Sequence, residues 1–359
     1  MVPLMILLGL ASLVAGAELL VRGASQLARA AGLPSLVIGL TVVAYGTSAP
    51  ELAVSVGAGL AGQSDIALGN VVGSNTFNVL FILGLSAMIA PLAVSSQLVR
   101  LDVPVMIGVS ALAWVLAADG VVSRWEGVLL VCCLVAYTAL LLRLGKRNEQ
   151  GRAPRPVPDK PAPPRRRGLL GSALLIAAGL VLLVLGAHWL VRGAVGLARL
   201  LGVGDMLIGL TIVAAGTSLP EAATSVVASL RRQRDIALGN VVGSNIFNIL
   251  GVLGGASLVS PRGMGVPDAA LHLDVPVMTA VALACLPVFF TGGRISRWEG
   301  AVFLGYYAAY VAYLALSASR HAALPAFSAA MWFLVLPGTV LGVGISVFRA
   351  LRLRKAAHE

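Results

Sequence analysis

Apolar residues fall along this chain in long blocks, without the short alternation of a half-buried strand. Eleven blocks are visible, at roughly 2–28, 34–61, 66–90, 101–118, 125–143, 169–198, 206–229, 236–259, 272–291, 298–316 and 327–348. Each is near the ~20 residues that an α-helix needs to cross a bilayer, so the pattern predicts eleven membrane helices. The first block has no basic leader and reads as a membrane helix, not a cleaved signal. Between the fifth and sixth lies GKRNEQGRAPRPVPDKPAPPRRRG, whose proline and charge predict a disordered linker.

The blocks repeat. LVRGA at Leu20 returns at Leu190, IGLTVVAYGTSAPE at Ile38 returns as IGLTIVAAGTSLPE at Ile208, and DIALGNVVGSNTFNVL at Asp65 returns as DIALGNVVGSNIFNIL at Asp235, each 170 residues later. LDVPVM and SRWEG follow with offsets of 172 and 173. An internal repeat of this size fixes the architecture before any local detail does. The organisation expected is a first five-helix repeat at 1–143, a linker at 144–168, a second repeat at 169–316, and an extra helix with a basic tail at 317–359. Five helices per half is odd, so the second half starts from the opposite side of the membrane. The fold class expected is an all-α polytopic membrane protein with two inverted five-helix repeats, ten core helices in all, plus one C-terminal helix.

Composition agrees: 58% of residues are hydrophobic and 11% charged, against about 25% charged in soluble domains. The formal charge of +11 does not point to nucleic acid, because the basic residues cluster in loops. The linker holds eight Lys or Arg, which places it and the C-terminus in the cytoplasm and the N-terminus outside. Arg22, Arg29, Arg100, Arg231, Arg232, Arg234, Arg294 and Arg297 fit that topology; Arg192, Arg199 and Arg262 do not. The location expected is the cell (inner or plasma) membrane, with the lipid bilayer as partner and the oligomeric state undetermined. Cys132, Cys133 and Cys285 show no metal spacing and read as packing residues.

Against this background Glu51 and Glu221 are costly. A carboxylate at mid-bilayer costs about 2.5–3.5 kcal/mol or more. Each follows a proline, Pro50 or Pro220, that removes a backbone donor and frees carbonyls near 43–47 and 213–217. Such backbone persists at membrane depth where it lines a cavity. Thr47, Ser48, Thr217 and Ser218 add hydroxyls. Ser74 and Asn78 are four apart, as are Ser244 and Asn248. An oxygen-only set suits hard cations such as Na+ and Ca2+. No His or Cys accompanies the pair, against zinc or copper. Two ionised carboxylates are balanced by one Ca2+, two Na+ or two H+, and an unneutralised pair is too costly to bury. Secondary transporters place such sites between inverted repeats. Asp65 and Asp235 are expected as N-caps. Trp125 with Glu126, and Trp298 with Glu299, are expected as interfacial anchors. Gly69, Gly73, Gly239 and Gly243 are expected in helix packing. Glu18, replaced by His188 in the second half, stands outside the symmetric set.

The doubled motif GTSAPE…GNVVGSNTFN and GTSLPE…GNVVGSNIFN resembles the sodium/calcium exchanger family, prokaryotic type, of the cation/calcium antiporter superfamily. The resemblance covers both repeats. It implies Ca2+ and Na+ at Glu51, Glu221, Thr47 and Thr217, and Na+ also at Ser48, Ser74, Ser218 and Ser244. It further implies that Asn78 and Asn248 complete the centre, that the carbonyls of Ala44 and Ala214 contribute, and that the first and sixth helices slide to alternate access. Some members carry an acid where Asn248 stands, which leaves two central carboxylates here. The eleventh helix is extra, and the linker has no room for a folded Ca2+-sensing domain.

The function expected is Na+/Ca2+ antiport by alternating access. A proton-coupled Ca2+ antiporter using the same Glu pair is the alternative. A cation channel fits an occluded site poorly. An enzyme is not expected, since the midplane offers Glu, Ser, Thr and Asn without a nucleophile–base pair, and no cofactor is expected beyond the transported ions.

Overall fold

The computed structural model describes residues 2–150, 165–202, 214–290 and 293–356. Helices dominate: α1 (Val2–Ala31), α2 (Ser35–Thr47), α3 (Ala49–Leu60), α4 (Ser64–Ile89), α5 (Leu98–Leu116), α6 (Arg124–Gln150), α7 (Arg165–Leu200), α8 (Ala214–Gly216), α9 (Leu219–Leu230), α10 (Arg234–Val259), α11 (Ala270–Phe290), α12 (Arg297–Ala318) and α13 (324–356). Among the described residues nine single helices are long and apolar enough to span a membrane, and α2 with α3 forms a tenth span bent by 47°. The predicted seventh block begins inside 203–213, outside the described residues. The fold is the expected all-α polytopic bundle of inverted repeats.

Both ends of the predicted linker are helical where described. α6 runs to Gln150 and α7 starts at Arg165, because Lys, Arg, Glu and Gln continue a helix well in solvent. The rest of the linker lies outside the described residues.

Depth in the bundle follows the polar pattern. The spanning window of α10 is 100% buried and that of α4 72%, whereas the window in α13 is 0% buried. The two helices carrying Ser-x-x-x-Asn therefore form the centre, and the eleventh helix stands at the periphery. Four two-residue strands tie the repeats together. β1 (Leu92–Ala93) pairs with β4 (Arg294–Ile295), and β2 (Val121–Val122) pairs with β3 (Met264–Gly265), both antiparallel. The loop after the third predicted block thus meets the loop after the ninth, and the loop after the fourth meets the loop after the eighth. Each pair must share a membrane face, as alternating spans require.

α1 and α7 pack antiparallel along glycines seven apart, Gly9, Gly16 and Gly23 against Gly179, Gly186 and Gly193. The approach is backbone to backbone. A Cβ on Gly16 would lie 2.8 Å from the carbonyl oxygen of Gly179, and one on Gly179 would lie 2.8 Å from that of Gly16. Small residues permit such contact in lipid, where the hydrophobic effect gives helices no reason to associate. Gly16→Leu is expected to cost about 1–3 kcal/mol by overpacking, read as a lower unfolding midpoint in detergent. Gly108→Ala, where a Cβ meets nothing within 4 Å, should leave the midpoint unchanged.

Two local expectations need correction. Gln63 and Gln233 hold the N-cap positions. Asp65 and Asp235 lie inside the first turn, where a carboxylate faces the positive end of the helix dipole. Glu126 does more than anchor: its Oε2 accepts the Ser123 N–H at 2.7 Å while Ser123 Oγ accepts the Glu126 N–H at 3.4 Å. Ser296 and Glu299 form the same capping box. Trp125 and Trp298 remain exposed. Gly239 and Gly243 pack on α2, a Cβ on Gly243 falling 2.6 Å from the Leu40 carbonyl; the segment that the repeat sets against Gly69 and Gly73 falls within 203–213, outside the described residues.

Candidate cation site

The proline that follows each Thr-Ser pair explains where the carboxylates sit. The backbone leaves the helical region at Ser48 (φ −83°, ψ 10°), and a new helix begins at Ala49 with Pro50 in its first turn. Proline is tolerated there because that N–H has no intrahelical partner. Ser218 (φ −88°, ψ 8°) and Pro220 repeat the arrangement. Glu51 and Glu221 thus occupy the first turns of α3 and α9, where the dipole favours negative charge. Both are fully buried.

The two halves bond crosswise. Ser48 Oγ donates to Glu221 Oε1 at 2.7 Å, and Ser218 Oγ donates to Glu51 Oε1 at 2.9 Å. Ser218 Oγ also lies 3.0 Å from Ser74 Oγ. The second oxygens, Glu51 Oε2 and Glu221 Oε2, have no hydrogen-bond partner, and neither do Asn78 Oδ1 and Asn248 Oδ1. Orphaned acceptors in dry surroundings cost free energy unless something occupies them. Asn78 and Asn248 each open a π-helical stretch, Asn78–Leu83 and Asn248–Leu253, a distortion frequent at functional sites.

The remaining predicted residues divide. Thr47 Oγ1 donates to Asn240 Oδ1 at 3.1 Å and Thr217 Oγ1 to Asn70 Oδ1 at 3.2 Å, so both hydroxyls engage flanking amides. Ser244 Oγ reaches the Ala44 carbonyl at 3.5 Å. That carbonyl is not freed by the break: it accepts the Ser48 N–H at 3.0 Å and the Thr47 hydroxyl at 3.2 Å. The side chain of Ala214 lies outside the described residues. Glu18 is remote from the set and pairs with Arg22 and Arg231.

Four asparagines to which spacing assigns no role hold the site. Asn70 Nδ2 bonds the Glu51 carbonyl at 3.1 Å and Ser55 Oγ at 2.9 Å; Asn240 Nδ2 bonds the Glu221 carbonyl at 3.2 Å and Ser225 Oγ at 2.9 Å. Asn75 and Asn245 cross between α4 and α10. The available signal was their recurrence in both motifs; their partners lie in another repeat or another helix. A cavity of about 270 Å³ lies between α7 and the bends, lined by Val184, His188, Arg192, Pro50, Thr217 and Pro220 among others. Of the predicted site residues it touches Thr217 alone.

Inverted repeats around a buried carboxylate pair define a membrane antiporter. The sequence profile described as "Sodium/calcium exchanger protein" matches residues 1–143 and 171–316, and the protein belongs to that family. It is 35% identical over 343 residues to the sodium/calcium exchanger MaX1 of Methanosarcina acetivorans, covering 87% of this sequence and 97% of that one. It is 37% identical over 280 residues to the inner membrane protein YrbG of Escherichia coli K12, covering 78% and 86%. The sodium-calcium exchanger NCX_Mj, soaked with 10 mM Na+ and zero Ca2+, superposes with a TM-score of 0.74 at 33% identity, covering 87% and 99%.

Proposed function

We propose that the protein exchanges Na+ for Ca2+ across a cytoplasmic (inner or plasma) membrane, by alternating access to the site between Glu51 and Glu221. The observation that carries this reading is the four buried, unpartnered oxygens of Glu51, Glu221, Asn78 and Asn248. With the two Oε1 atoms reached by Ser48 and Ser218 they make six, the low end of what Ca2+ prefers. The donor set fits a hard cation as transported substrate. Two carboxylates match one Ca2+, and two Na+ replace it without leaving charge buried. Ser74, Ser244, Thr47 and Thr217, with the backbone of Ala214, flank the centre and supply further oxygens for Na+; the Ala44 carbonyl joins them when the Thr47 hydroxyl it now accepts turns away. The cavity beside Thr217 is the route from the outer face, with the N-terminus outside and the linker and C-terminus inside.

The test is 45Ca2+ uptake into proteoliposomes loaded with Na+, against K+-loaded controls with and without a pH gradient. Uptake that needs internal Na+ is expected. Uptake driven by the pH gradient alone would keep the site and make H+ the coupling ion. No uptake under either gradient would overturn Ca2+ as substrate.

A further inference from the structure

We propose that Asn75 and Asn245 are positioning residues that fix which end of the Asn248 and Asn78 amides faces the cation. The inference rests on the proposed Ca2+ site and assigns a role to two side chains outside it.

A side-chain amide has an oxygen end and a nitrogen end of nearly equal shape. An asparagine in a cation site is useful only with its oxygen inward. Nothing about Asn248 alone decides this. Its Nδ2 donates to Asn75 Oδ1 at 3.1 Å, so its oxygen is held away from Asn75. The orientation of Asn75 is set in turn by a group that cannot flip: its Nδ2 donates to the backbone carbonyl of Asn245 at 3.2 Å, and lies 3.6 Å from Met278 Sδ. The other half mirrors this. Asn245 Nδ2 donates to the Asn75 carbonyl at 3.3 Å and lies 3.6 Å from Met106 Sδ, while Asn245 Oδ1 accepts from Asn78 Nδ2 at 3.0 Å.

Each series of bonds thus starts at a fixed backbone oxygen, passes through one amide and ends at an unpartnered oxygen, Asn248 Oδ1 or Asn78 Oδ1. Reversing Asn75 would set its oxygen against the Asn245 carbonyl and its NH2 against the NH2 of Asn248. In a buried network such a mismatch is costly. Asn75 and Asn245 each direct the side-chain oxygen at the NH2 of Asn248 or Asn78, while Asn248 Oδ1 and Asn78 Oδ1 have no partner. The links also cross between repeats: a residue of the first half orients a ligand of the second, and the reverse.

The test uses full-length protein in proteoliposomes. Asn75→Ala is expected to raise half-saturating Ca2+ by about 10–100-fold, with the saturated rate kept within about threefold. Asn248→Asp presents an oxygen in either orientation, so adding Asn75→Ala to it should change half-saturation by less than threefold. That rescue separates positioning from packing. An equal penalty in both backgrounds, or none in the first, overturns the inference. Should Asn75→Ala not fold, Asn245→Ala with Asn78→Asp applies the same test to the other repeat. A third measurement needs no substitution in the network: with the asparagine amide carbonyls 13C-labelled, Ca2+ should shift their infrared stretching band, and no shift overturns the inference. Glu51→Gln is the control. Loss of Ca2+ binding there with an indifferent Asn75→Ala defeats only the positioning role. Wild-type binding in Glu51→Gln defeats the site itself.

Discussion

Glu51→Gln and Glu221→Gln are each expected to abolish Ca2+ transport while leaving a folded, membrane-inserted protein. The amide keeps the shape but removes one of two charges facing a divalent ion. Breaking a buried charge pair costs about 3–5 kcal/mol, which corresponds to a loss of affinity of about two to three and a half decades at 1.4 kcal/mol per decade. Folding should not suffer in the same way, because a neutral amide in lipid is cheaper than a carboxylate. The measurement is 45Ca2+ uptake alongside size-exclusion behaviour. Wild-type transport in both variants would remove the pair from the mechanism.

The second large effect is expected at the serines that cross the repeat boundary. Ser48 donates to Glu221 and Ser218 to Glu51, so each carboxylate depends on the other half for one bond. A hydrogen bond to a charged group is worth about 1.5–3 kcal/mol. Ser48→Ala and Ser218→Ala should each raise half-saturating Ca2+ by ~10–100-fold, measured by initial uptake rates. Since Ser218 also contacts Ser74, its loss should be the larger. Equal, negligible effects would show that the hydroxyls do not tune the carboxylates.

Much of this was legible in the sequence. Hydropathy exposes membrane helices because lipid leaves the backbone few alternatives, and a doubled Pro-Glu in apolar sequence advertises its own cost. The capping boxes were legible too, since Ser-x-x-Glu stands at Ser123 and Ser296, but the neighbouring tryptophans point to an interfacial role instead. The asparagine network was not. Asn75 meets Asn245 across 170 residues, and no local spacing distinguishes a residue that binds an ion from one that orients a binder. Two-residue strands carry too little pattern to be read. The state of the Ala44 carbonyl depends on where the helix breaks, and it breaks at Ser48, whose N–H still completes that carbonyl's ladder bond.

The strand pairs have a mechanical consequence. β1–β4 fastens the repeats on one membrane face and β2–β3 on the other, extended by Val94 N–H to Gly293 and Val266 N–H to Gly120 at 2.9 and 2.8 Å. The amide crossing fastens them between. α1 and α7 contribute to none of these clips and are joined to each other by glycine. Rocking one repeat against the other would tear every clip; travel of the α1–α7 pair tears none. If the proposed antiport works by alternating access, these clips favour movement of the α1–α7 pair against the clipped remainder. The ionic tie between α1 and α9, Glu18 to Arg231, leaves Arg231 57% exposed and Glu18 20% exposed. It joins the first helix of one repeat to the second helix of the other, so any relative movement of α1 and α9 has to break it.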